Sequence, residues 1–150
     1  MKRTLNGKCI AIALVLLFAL FGALAFVACD APDGDERGEL SSVTLILGDG
    51  EAVSFETDAK YLYGALSDYC DDHGLVLEGE ESEYGFFLTR VGDLVQGEGR
   101  YIMVYHDIDD VALITPGYDL ERDGKVFHSS AQGVSSLPVM DGASYLIVLQ

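Results

Sequence analysis

The stretch Val43-Thr-Leu-Ile-Leu-Gly-Asp-Gly-Glu-Ala-Val-Ser-Phe-Glu-Thr-Asp-Ala-Lys-Tyr-Leu-Tyr-Gly-Ala-Leu-Ser-Asp-Tyr-Cys-Asp-Asp-His-Gly74 decides the fold class. Val43 to Leu47 is apolar and β-branched, and Glu51 to Phe55 alternates polar with apolar. The Asp-Gly step at Asp49-Gly50 lies between them, so the two runs read as a hairpin. Thr57 then offers a helix N-cap, with Asp58 supplying negative charge to a first turn. Leu62, Ala65, Leu66 and Tyr69 recur at i, i+3, i+4 and i+7, the spacing of one buried helical face. Gly74 suits the left-handed residue that closes a helix. A helix from about Asp58 to Asp72 follows.

Further along the chain the pattern is mostly strand. Leu75 to Leu77 reads as a short strand, Gly79 to Glu83 as an acidic turn and Tyr84 to Val91 as a longer strand, closed by Gly92-Asp93. Tyr101 to Tyr105 and Val111 to Thr115 read as further strands. Pro116 to Gly124 reads as loop, and Lys125 to His128 as a brief edge pairing. Ala143 to Leu149 is a continuous apolar run, which suggests a central strand buried on both faces. The order is two strands, one helix, then several strands. That is an α+β mixed sheet with one main helix over one face.

The chain has 150 residues, with 25 acidic against 9 basic side chains, a length suited to one domain. Three of the bases, Lys2, Arg3 and Lys8, precede the uncharged run Cys9 to Ala28, and every acid follows it. Beyond residue 28 the 25 acids face six bases, a net charge near −19. Such a surface repels phosphate backbones, so no nucleic-acid partner is expected. A basic start, an apolar run and a small residue before a cut site mark an export signal. The run of roughly 20 residues is also long enough for an uncleaved anchor helix.

Phe26-Val27-Ala28-Cys29 resembles the lipobox of bacterial lipoproteins. The resemblance implies that residues 1–28 are a lipoprotein signal and that Cys29 becomes the lipidated N-terminus. Two or three acyl chains hold a protein stably at a membrane. With signal or with anchor helix, the rest of the chain is expected outside the cytoplasmic membrane. Residues 29–42, acidic and with Pro and Gly, read as a flexible tether, and residues 43–150 as the domain. Cys9 leaves with the signal and Cys29 takes the lipid, so Cys70 remains without a disulfide partner.

The segments Phe55 to Leu66, Glu83-Tyr-Gly-Phe-Phe87 and Gly133-Val-Ser-Ser-Leu-Pro-Val-Met-Asp-Gly-Ala-Ser-Tyr145 are similar to phrases of the transcobalamin-like C-terminal domain of bacterial lipoproteins. The likeness spans roughly residues 43 to 149. Tyr101-Ile102 and Tyr105-His106-Asp107 stand where that family carries an aromatic pair and an Asn-Gly turn. The resemblance implies a β-grasp-like fold and supplies no catalytic residues.

Several constellations read most simply as structure. Cys70 and His73 have the spacing of a metal pair, but two ligands leave a zinc site incomplete. Asp119-Leu-Glu-Arg-Asp-Gly124 begins like a calcium loop, yet its twelfth position is Ser130 in place of a bidentate Glu, with Asp107 to Asp110 nearby in sequence. The histidines at 73, 106 and 128 accompany no Gly-x-Ser-x-Gly elbow, and the pairs Ser129-Ser130 and Ser135-Ser136 read as loop residues. No catalytic residue, metal or cofactor is expected. Tyr101, Met103 and Tyr105 share one strand face, and with His106 they are the candidate ligand platform. The expected function is a non-catalytic binding or adhesion module at the cell surface, recognising a protein, glycan or small ligand. The alternative is capture of a corrinoid or other small ligand for an uptake system.

Overall fold

A computed structural model describes residues 36–83 and 85–150; the expected signal, Cys29 and Tyr84 lie outside these residues. Strands β1 (Arg37–Leu47) and β2 (Val53–Ala59) form the expected antiparallel hairpin and lead to helix α1 (Leu62–His73). Strands β3 (Leu77–Ser82), β4 (Gly85–Val91) and β5 (Leu94–Val95) form a three-stranded sheet in that order. Strands β6 (Ile102–His106), β7 (Ile114–Arg122), β8 (Lys125–Ser130) and β9 (Ser144–Leu149) complete a six-stranded sheet in the order β2-β1-β9-β6-β8-β7.

The six-stranded sheet is mixed. β9 runs parallel to β1, with Thr44 opposite Ser144 and Leu47 opposite Ile147, and antiparallel to β6, with Ile102 opposite Leu149. The central, doubly buried position expected from the apolar run is therefore observed. Alternate residues of β9 serve different cores, as a pleated strand requires. Tyr145 and Ile147 face α1 and pack with Leu62, Leu66, Tyr69, Cys70, Val43 and Leu45. Leu146 faces the other way and packs with Ile46, Tyr105 and Phe127. The α+β class and the mixed sheet with one helix stand as the sequence indicates.

The second face is closed by curling of the sheet. β7 lies four strand intervals from β1, about 19 Å across a flat sheet at ~4.8 Å per interval. Yet the Arg122 guanidinium at the end of β7 donates to the Gly48 carbonyl and, at 2.7 Å, to that of Gly50 in the β1–β2 turn. Twist accumulates across the strands until the β7–β8 hairpin closes over Leu146 and Phe127.

Long-range partners move several element boundaries. β1 begins at Arg37, so the last six residues expected in the tether, 37–42, lie in the strand; Arg37 pairs with Ala59 and reaches the carboxylates of Asp58 and Asp68. That pairing keeps β2 extended through Ala59, and the Thr57 hydroxyl accepts the Ala59 N–H at 3.1 Å rather than capping a helix. The helix therefore starts at Leu62. Its first N–H groups are satisfied by backbone: Leu62 donates to the Leu137 carbonyl and Tyr63 to that of Val134, each at 2.9 Å. The C-terminus is as expected, with Gly74 at φ 63°.

The acidic run expected as a turn is strand β3. Gly79 is needed there, because a Cβ would collide with the Phe86 ring and the Phe87 carbonyl. The stretch expected as a loop, Pro116 to Gly124, lies largely in β7. Pro116 and Gly117 fall where the β7–β8 register slips, on an edge strand that tolerates a proline. β8 pairs with both β6 and β7 and is not an edge.

The Tyr145 hydroxyl ties β9 to the turn before it. It donates to the Pro138 carbonyl at 2.8 Å and accepts the Met140 N–H at 3.0 Å, and burial pushes its pKa up to about 12. Tyr145→Phe leaves both backbone groups without that partner. A loss of about 1–3 kcal/mol in unfolding free energy is expected from denaturant titration, with the slope unchanged.

Candidate functional site

Tyr101, Tyr105 and His106 do not form one ligand platform. Tyr101 is 55% exposed just ahead of β6, and its N–H and C=O both pair with Gln150. Tyr105 is only 4% exposed, lies in the second core and donates its hydroxyl to Gln150 Oε1 at 3.0 Å. His106 is fully buried on the opposite face. Its Nε2 lies 2.9 Å from the Leu113 carbonyl, which can only accept, so Nε2 carries the proton. Nδ1 is then an acceptor with no partner among the described residues. A ligand reaches neither Tyr105 nor His106 without opening the sheet. The alternation that places Tyr101, Met103 and Tyr105 on one face was legible; which face the β7–β8 hairpin covers was not.

The other sequence constellations are also structural here. Cys70 is buried in the main core, where burial pushes its thiol pKa up. His73 is exposed, donates Nδ1–H to the Tyr69 carbonyl at 2.8 Å and stacks on the Tyr69 ring at 4.1 Å. Asp119 accepts from His128 at 2.9 Å, and Asp123 and Gly124 form the tight β7–β8 turn with positive φ. Among the described residues, no group of three His, Cys, Asp or Glu is placed to hold a metal ion.

One feature with the shape of a site lies between the two sheets, alongside a roomier hollow of about 360 Å³ lined by Leu47, Leu75, Val91 and Leu94. An open cleft with room for about 170 Å³ of solvent is walled by Phe86, Phe87 and Leu88 of β4 on one side. Ile102, Met103 and Val104 of β6 form the other side, and Ser130 to Val134 closes one end. Its origin is topological. β8 pairs with β6 only through Tyr105–Ser129 and His106–His128, then leaves the sheet after Ser130. The departing chain turns and fastens β4 instead, the Ser135 hydroxyl accepting the Phe86 N–H at 3.0 Å. The apolar walls carry an acidic rim, since Glu80 and Glu81 of β3 stand directly opposite Phe87 and Phe86. Phe87 is 44% exposed, the clearest apolar anchor in the cleft. The sequence carried one signal for it, the aromatic pair Phe86-Phe87 beside an acidic strand, but nothing local shows that β8 ends early.

A second polar knot lies beyond the end of β6. Asp107 accepts the Ser144 N–H at 2.7 Å and pairs with Lys125, whose ammonium also donates to the Ser144 hydroxyl at 2.9 Å. Burial pushes the Asp107 carboxyl up, but the Lys125 and Ser144 hydrogen bonds and the Lys125 charge outweigh it and hold the pKa below the usual value. A depressed folded-state pKa stabilises at pH values above the unfolded pKa of ~3.9 and is lost as pH falls through the folded value. Thermal melts of wild type and Asp107→Asn should therefore differ at neutral pH and converge on acidification below the usual carboxylate range. A difference constant with pH would rule out the carboxylate charge as its source.

No protein-family model and no curated protein matches this chain. Among solved structures, a candidate metal-binding protein from Ruminococcus gnavus ATCC 29149 is 24% identical, covering 75% of this chain and 96% of its own, with a TM-score of 0.45. Haptocorrin, solved in complex with Cbi, is 12% identical with a TM-score of 0.54 over 77% of this chain. The matched region is 26% of the haptocorrin chain, so the chain spans about a quarter of that protein. The mixed sheet with helix α1 packed on it is a transcobalamin-like fold.

Proposed function

We propose that this chain is an exported, membrane-anchored, non-catalytic binding module that takes its ligand in the cleft between β4 and β6. The observation that carries the reading is the cleft itself: a concave, mainly apolar gap with a few polar groups at its end, Ser130 and Gln132. Concave apolar surfaces with sparse polar groups are the usual form of binding sites. The anchoring part rests on the basic start, the apolar run and the Ala28-Cys29 junction, with Cys29 carrying the lipid. The lipid seats the chain at the outer face of the bacterial cytoplasmic membrane.

A second reading, capture of a corrinoid or other small ligand for an uptake system, is favoured by one observation: the likeness of fold to haptocorrin, a protein solved with Cbi bound. Fold alone is a weak guide to ligand.

The full-length protein in non-ionic detergent separates the two readings by thermal melting with cobinamide, cobalamin, glycans and peptides. A ligand present at 100 times its Kd adds about 2.7 kcal/mol, a rise of a few degrees in Tm. A dose-dependent rise lost in Phe87→Ala is expected for the cleft. A rise confined to cobinamide and cobalamin supports the second reading, and no rise with any class contradicts both. In cells, Cys29→Ala is expected to abolish labelling by a radioactive fatty acid; retained labelling would overturn the lipid assignment.

A further inference from the structure

The outer edge of β6 is open where it meets the cleft. Tyr101 and Gln150 exchange both backbone hydrogen bonds, the Tyr101 N–H donating at 2.6 Å and the Gln150 N–H at 2.9 Å. In an antiparallel ladder such pairs alternate with pairs that do not bond each other. Met103 and Tyr105 therefore also point their N–H and C=O groups at β9. Ile102 and Val104 point theirs away from β9, toward the side on which β8 lies. But the β8 pairing ends at Tyr105–Ser129, one residue short of Val104. No paired residue of β8 stands opposite Ile102 or Val104, and both residues border the cleft. An unpaired strand edge beside an apolar wall is a template for one more strand.

The charge around it selects the partner. Glu80 and Glu81 face Phe87 and Phe86 across the β3–β4 ladder, and Glu83 next to them is also exposed, while Glu78 stands opposite Arg90. Beyond residue 28 the chain carries 25 acids against six bases, so the long-range field has the same sign. Resting on the cleft reading above, we propose that the ligand is an extended, basic peptide segment of a partner protein, added as a strand to the edge of β6 at Ile102–Val104. Its alternate apolar side chains would lie against Phe87 and Met103, and its Lys or Arg side chains would meet Glu80 and Glu81.

The probe is a fluorescein-labelled peptide, Lys-Val-Lys-Ile-Lys-Val-Lys, titrated into the full-length protein in non-ionic detergent and read by anisotropy. The same peptide N-methylated at every residue has no N–H to offer on either strand edge, and Glu-Val-Glu-Ile-Glu-Val-Glu carries the opposite charge. Binding of the first peptide is expected, weakened at least tenfold by N-methylation or by Glu80→Lys with Glu81→Lys, two exposed changes. That double variant should gain affinity for the Glu peptide. Hydrogen–deuterium exchange should show new protection in the segment 101–106. Binding indifferent to N-methylation, protection confined to the β2 or β7 edge, or no binding at millimolar peptide would each overturn the proposal. If the peptide fails while a glycan or cobinamide protects 101–106, the cleft remains the site and only the peptide assignment falls. If nothing protects 101–106, the cleft reading falls with it.

Discussion

The fold depends on β9 being paired along both edges and buried on both faces. Its parallel partner β1 arrives from the start of the domain and its antiparallel partner β6 from the middle, so one strand closes contacts across about a hundred residues. Tyr145 and Ile147 anchor the core under α1, while Leu146 anchors the core under the β7–β8 hairpin. A strand in that position cannot alternate polar with apolar, and Ser144-Tyr-Leu-Ile-Val-Leu149 does not. The turn before it is held by the Tyr145 hydroxyl and the strand start by the Asp107 carboxylate, so its register is fixed by polar bonds as well as by packing.

Features that depend on local period were legible in the sequence. The 3.6-residue spacing of Leu62, Ala65, Leu66 and Tyr69 marked the buried face of α1, Gly74 marked its end, and Asp49-Gly50 marked the first hairpin. Features set by distant partners were not. The helix starts four residues late because Leu137 and Val134 supply the carbonyls that a local cap would have replaced. The Glu-rich β3 becomes a strand because β4 offers it a ladder, and Pro116 sits in β7 because a register slip there removes the need for its N–H. Propensity is a weak prior when a neighbouring strand supplies the hydrogen bonds.

The same division governs the site. Alternation put Tyr101, Met103 and Tyr105 on one face, and Met103 and Tyr105 do share the second core, but only tertiary curling shows that Tyr105 lies under the hairpin while Tyr101 is exposed. The cleft arises from where β8 stops, a fact written in the contacts of Ser129 and Ser135 rather than in any motif. Its apolar walls come from two sheets that share no ladder, and its charge comes from a third element, β3. Those parts are separated by about fifty residues of chain, which is why no spacing rule finds them.

The open edge of β6 is the physical basis of the proposed binding site, and amide hydrogen exchange of the free, full-length protein by NMR measures it directly. Met103 and Tyr105, bonded to the central strand, should exchange slowly, whereas Ile102 and Val104, which alternate with them, should exchange faster by orders of magnitude. Uniformly slow exchange from Ile102 to Tyr105 would mean that the edge is already covered, and would contradict a site built on it.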